Sequence, residues 1–148
     1  MPTTTATLDL AIERPPAVVF EALTRVGSLQ RHIGRSGRYR GTVDVSDDPV
    51  RAGSTYVDRT PIGRFHGRVL ELEPNRRVVF RQVTTRNDLD ITITYVLEPT
   101  ASGTRLVRTG EITTRGLLAL VHPIVVRSTR AENRRTMNGL KTSLETGG

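Results

Sequence analysis

The 148-residue chain has the length of one domain built on one core, so a single domain over 1–148 and a single site are expected. It contains no cysteine, which excludes disulfide frameworks, thiolate metal sites and thiol nucleophiles. The formal net charge is +7, but the arginines behind it are scattered, with adjacent pairs only at Arg76-Arg77 and Arg134-Arg135, so a solvated basic surface describes it better than a nucleic-acid face. Three Phe, three Tyr and no Trp also leave few platforms for stacked bases.

The opening MPTTTATLDLAIERP shows no basic run followed by an apolar one, so no secretory leader is expected and the expected location is cytoplasmic. Within it, residues 6–13 alternate: Leu8, Leu10 and Ile12 on one side, Thr7, Asp9, Ala11 and Glu13 on the other, the period of a half-buried strand. Arg14-Pro15-Pro16 ends the strand. Proline suits the first turn of a helix, so 16–24 reads as a short helix with Val19, Phe20 and Leu23 inward. A second short helix, capped by Ser28, should reach Ile33 before Gly34 stops it.

Strands are then expected at 38–45, 54–60, 64–73, 77–84, 89–98 and 104–113, joined by turns rich in Asp, Asn, Pro and Gly. Connections this short make neighbours antiparallel. Leu89, Ile91, Ile93, Tyr95 and Leu97 share one face of their strand, giving a sheet buried on one side and wet on the other. Past Ile112 the period turns helical. Residues 115–121 form a short helix, Pro123 forces a break at His122, and a long helix runs from Pro123 to about Leu144. Its inner face carries Val126, Thr129, Asn133, Met137, Leu140 and Leu144, with Val125 and Thr136 beside them; Arg127, Arg134, Arg135 and Lys141 fall outside. The most apolar stretch, 116–126, is interrupted by His122 and Pro123 and is shorter than the ~20 residues of a membrane span, so none is expected.

The order strand, two short helices, six strands and long helix, with the phrases IERPPAVVFEALT, VRAGSTY, HGRVLELEPNRRVVF, YVLEPTASGTRL and NGLKTSLE, resembles the START-related SRPBCC superfamily, above all its polyketide cyclase/dehydrase and lipid-transport branch. The resemblance covers nearly the whole chain. It implies an α+β helix-grip fold, in which a curved seven-stranded antiparallel sheet grips the C-terminal helix around a cavity. It implies no reaction, because such folds include carriers, receptors and cyclases, and function lies in the cavity lining. One departure is LQRHIG in the second short helix, where many relatives carry an aromatic.

A sheet too strongly bent to close on the helix would leave a hollow of a few hundred Å³. Ile91, Ile93 and Tyr95 are expected on its sheet wall, and Val125, Thr129 and Asn133 on its helix wall. The polar pair Thr129 and Asn133 needs partners from the backbone, neighbours, trapped water or a ligand. Of the three histidines, His122 suits a helix N-cap, His32 lies where it could gate the cavity or act in acid/base chemistry, and His66 alternates with Phe65, so one of those two points inward. No metal-ligand spacing joins them, and neither metal nor cofactor is expected. Tyr56 and Asp58 share a face, as do Leu106, Arg108 and Ile112; an inward Arg108 would require a carboxylate, with Asp58 available, or an anionic ligand. Candidate catalytic residues are His32, Tyr56 and Arg108: Arg108 with a tyrosine would steady an enolate while His32 removes a proton. Candidate ligand-binding residues are these three with His66, Ile91, Ile93, Tyr95, Val125, Thr129 and Asn133.

No nucleophile elbow, GxxxxGK loop or GxGxxG turn is present, which disfavours hydrolase, NTPase and dinucleotide-binding readings. The leading expectation is a cavity protein binding a small apolar or aromatic, polyketide- or lipid-like molecule. The alternatives are a polyketide cyclase or dehydratase using the same cavity, and an interaction module using the basic outer face of the last helix. A homodimer is left open, nucleic acid is disfavoured as a partner, and the ligand's identity is not readable.

Overall fold

The computed structural model describes residues 1–34, 39–61 and 63–147. The first strand, β1, spans Thr3–Ile12, three residues longer at its start than the alternation of 6–13 indicates, and Leu8, Leu10 and Ile12 turn inward as read. Helix α1 (Pro16–Thr24) begins on its proline and buries Val19, Phe20 and Leu23; the fixed φ of Pro16 fits the first helical position, where no N–H is needed. A 3-10 turn at Val26–Ser28 leads into α2 (Gln30–Ile33). Ser28 does not start that helix; it closes the 3-10 turn, donating its backbone N–H to the Arg25 carbonyl. Gly34, at φ 65°, ends α2 as expected.

The strand expected over 38–45 shrinks to β2, Thr42–Val43, and part of that range lies outside the described residues. Gly41 and Asp44 flank β2 at φ 120° and 53°, and positive φ on both sides interrupts the extended backbone that pairing needs. The remaining strands are β3 (Thr55–Thr60), β4 (Gly63–Glu73), β5 (Arg77–Thr84), β6 (Leu89–Thr100) and β7 (Gly103–Thr114). They form one seven-stranded antiparallel sheet in the order β1-β7-β6-β5-β4-β3-β2. The sequence-adjacent strands from β2 to β7 are spatial neighbours, and β1 adds to the free edge of β7 in an unbroken ten-residue register from Thr3↔Thr113 to Ile12↔Thr104. A bulge between Val69 and Glu71 interrupts β4, where such an extra residue bends the strand.

Residues 115–121, expected as a short helix, contain a 3-10 helix, Gly116–Val121, that buries none of its side chains. Helix α3 (His122–Gly147) follows directly. His122 is its first residue and does not act as its cap: its ring nitrogens sit 2.7 Å from the hydroxyls of Thr4 and Thr114, fastening the helix start to β1 and β7. The helix lies across the inner face of the sheet and buries Val126, Thr129, Met137, Leu140 and Leu144. Two of the four cations assigned outward turn back instead. The Arg135 guanidinium donates to the Ile33 carbonyl at 2.6 Å, and the Lys141 ammonium to the Ala11 carbonyl at 2.6 Å; each brings a charged donor to a backbone carbonyl of a neighbouring element. Among the described residues no helix is long and apolar enough to cross a membrane.

Candidate functional site

A pocket of about 150 Å³, partly open to solvent, lies between the inner face of the sheet and α3. Its apolar lining includes Leu23, Phe65, Phe80, Ile91, Ile93 and Met137. It is smaller than the few hundred Å³ expected because aromatic rings fill the sheet side. Tyr56, Phe80 and Tyr95 run across three strands as two edge-to-face pairs, with centroids 5.9 and 6.0 Å apart and planes at 81° and 83°, the arrangement that sets a positive ring edge on a negative face.

Tyr56 reaches that position because of Gly67. The two are directly paired across β3 and β4, and Gly67 pairs in turn with Gln82 on β5. A Cβ on Gly67 would fall 2.2 Å from the Tyr56 ring, so the glycine leaves the room in which the ring lies. Across the same gap the Gln82 amide donates to the Tyr56 hydroxyl at 2.9 Å and to an Asp58 carboxylate oxygen at 3.0 Å. Thr42 donates to the other Asp58 oxygen at 2.6 Å. Burial pushes the Asp58 carboxyl up to about 6, against these two hydrogen bonds, which pull it down. Burial, and then the neighbouring Asp58 charge, pushes the Tyr56 phenol well above its ordinary range, so Tyr56 stays a neutral donor at neutral pH.

At the other end of the ring row stands Arg108 on β7, 6% exposed. Its Nε donates to the Tyr95 hydroxyl at 3.3 Å, and its guanidinium carbon lies 5.7 Å from the Tyr95 ring centre, a cation–π distance. Asp58 is not its ionic partner: that carboxylate is taken up by Thr42 and Gln82. On the helix wall of the same pocket, Thr129 of α3 is 5% exposed, and its hydroxyl oxygen has no hydrogen-bond partner among the described residues.

The structure therefore gathers Tyr56, Ile91, Ile93, Tyr95, Arg108, Thr129 and Asn133 around one pocket. His32, His66 and Val125 stand outside it. The His32 Nδ1 is 2.8 Å from the Ser143 hydroxyl, and its backbone carbonyl would lie 3.1 Å from a Cβ on Gly139; α2 is packed so tightly on α3 that its histidine clips the two helices together. Burial, with Arg31 beside it, lowers the His32 pKa. His66 is exposed with Nε2 2.9 Å from the Thr85 hydroxyl, and Phe65 is the inward member of that pair. Val125 lies one turn before Thr129, where His122 has already fastened the helix to the sheet, and it is half-buried against the core.

Sequence reasoning left Phe65 open against His66 and missed Phe80, Gln82 and Thr42 as lining residues. Gln82 carried a usable signal: it shares the inward register of Val78 and Phe80, so a polar side chain was placed where an apolar one belongs. Thr42 lies in the shortest strand and left none. Among the described residues no group of three or more His, Asp or Glu side chains is placed to hold a metal ion.

Residues 3–145 match the family described as polyketide cyclase / dehydrase and lipid transport. The chain belongs to that family. A search of curated protein sequences finds no match, whereas solved structures similar to this member of the family are numerous. Protein MLL2253 from Mesorhizobium loti is 18% identical with a TM-score of 0.73, over 95% of this chain and 96% of that one. The di-domain ARO/CYC StfQ from the steffimycin biosynthetic pathway is 15% identical with a TM-score of 0.74, over 95% of this chain and 50% of StfQ. The Aha1 dimer from Colwellia psychrerythraea is 19% identical with a TM-score of 0.66, over 97% and 98% of the two chains. Such distant likenesses establish the shared helix-grip fold, and this family member's own pocket carries the argument about function.

Proposed function

We propose that this protein binds a small apolar or aromatic molecule between its sheet and its terminal helix. The observation that carries the reading is the Thr129 hydroxyl, buried on the pocket wall with no partner among the described residues. A buried polar atom left unsatisfied costs about 1–3 kcal/mol, and a guest bearing a donor or acceptor removes that cost. The surrounding lining of Phe65, Phe80, Ile91, Ile93 and Met137 suits the guest's apolar body, and the space of about 150 Å³ is on the scale of a single aromatic ring, with further substituents extending through the open side. The family description, which joins cyclases to lipid transport, agrees with a pocket of this kind.

A cyclase- or dehydratase-type reaction is a second reading of the same pocket, favoured by Asp58. A carboxyl held near 6 can both take and give a proton at neutral pH, and the phenol of Tyr56 and the guanidinium of Arg108 line the same space as donors to a developing enolate. Native mass spectrometry of the purified protein, followed by titration with 1-naphthol, tests the first reading: a 1:1 adduct or a saturable 1:1 isotherm supports it, and a ligand-free spectrum with no isotherm overturns it. The second reading predicts that Asp58→Asn abolishes turnover of an aromatic polyketide-like substrate while its affinity stays within about tenfold.

A further inference from the structure

A second hollow, of about 230 Å³, opens between β1 and α3. Arg108 and Asn133 line both this cleft and the pocket, so the two spaces meet at those side chains. Arg130 and Arg134 of α3 complete the helix side, and no carboxylate among the described residues lines the cleft. Residues four apart on a helix are neighbours, so two exposed guanidiniums stand side by side above a third that is buried. None of the three forms an ion pair with a described residue, in a chain where Arg81, Arg105, Arg115 and Arg135 all do.

The local sequence opens this space. Ala6 and Gly110 face each other on the β1–β7 ladder, one rung from Leu8↔Arg108 counted on the same face. A Cβ on Gly110 would lie 3.7 Å from an Arg108 terminal nitrogen, so the pair of small residues leaves the guanidinium accessible on the cleft side. A buried cation without a counter-charge is costly, and like charges crowded around it add to that cost. An oxyanion held by planar guanidinium forks offsets both.

We propose that cleft and pocket form one site for an amphiphilic anion, the apolar ring lying in the pocket and its carboxylate or phosphate group in the cleft against Arg108, Arg130 and Arg134, with Asn133 as a neutral donor. This rests on the ligand-binding reading above and adds to it the class of the guest. The test is calorimetric titration of wild type and of the double variant Arg130→Gln/Arg134→Gln with 1-naphthol, 1-naphthoate and 1-naphthyl phosphate. Wild type should bind at least one of the anions tenfold or more tightly than 1-naphthol, and which anion gains more distinguishes a carboxylate from a phosphate guest. The double variant should lose that advantage while its 1-naphthol affinity stays within twofold; both positions are exposed, so the fold is preserved. Equal affinities for all three compounds, or an anion advantage that survives the double substitution, would overturn the anion site and leave the neutral pocket standing. Failure of every compound to bind would overturn both.

Discussion

Gly67 sets the pocket's size by what it lacks. Its ladder partners Tyr56 and Gln82 meet above it only because no Cβ intervenes. Gly67→Ala puts a methyl group 2.2 Å from the Tyr56 ring, and the ring must swing away, breaking the Gln82 contact. Overpacking of this kind costs about 1–3 kcal/mol, so chemical denaturation should show a loss of that order together with weaker 1-naphthol binding; unchanged stability and binding would mean that the ring has somewhere else to go. At this scale the sequence was readable where alternation is strict. Period two places Ile91, Ile93 and Tyr95 inward, and so they are; it puts Arg108 on one face with Leu106 and Ile112 without saying which face that is, and the structure makes it the buried one. His32 was not readable, because which face of a four-residue helix meets α3 depends on the close contact at Gly139, a tertiary fact with no local signature.

Helix α3 is positioned by its two ends and a middle tie, each of which recruits a side chain that periodicity alone would misassign. His122 bonds to Thr4 and Thr114 at the start, Arg135 holds the end of α2, and Lys141 holds the end of β1. The wheel of apolar residues located the helix and its buried stripe, but long cationic side chains can bend back over the surface, so their outward Cβ directions did not fix where their charges ended. Proline at 123 signalled a break, and the structure converts it into a change from 3-10 to α geometry, since Pro123 falls within the first turn, where no N–H partner is lost. His122→Ala removes both hydroxyl contacts and leaves the fully buried Thr114 hydroxyl without its partner. It should cost about 2–3 kcal/mol and raise amide exchange in the first two turns of α3 more than in its last two. Uniform exchange along the helix would show that the fastening is not local.

For the molecule as a whole, these groups pull stability in opposite directions with pH. Asp90, bonded to Arg81 and Arg115, and Glu145, bonded to Lys141, are held below the usual carboxylate range, so what they contribute is present at neutral pH and lost on acidification. His32, lowered by burial, likewise favours the folded state only while neutral, above the ordinary histidine range. Asp58 runs the other way. Its folded value of about 6 lies above the ordinary 3.8, so between these values the folded chain holds a proton that the unfolded chain has released. By linkage, stability from this group is greatest below about pH 4 and falls as pH rises through about 6. Asp58→Asn keeps an acceptor for Gln82 and removes the titration. The melting temperature of the variant relative to wild type should therefore rise between pH 4 and pH 7, with most of the change below about pH 6.5, while the acid losses from Asp90, Glu145 and His32 cancel in the difference. A difference that stays flat across that range would mean that Asp58 remains ionised in the folded protein, and the proton-transfer role would fall with it. The ligand pocket would not, because its apolar lining and the Thr129 hydroxyl, which has no partner among the described residues, owe nothing to that proton.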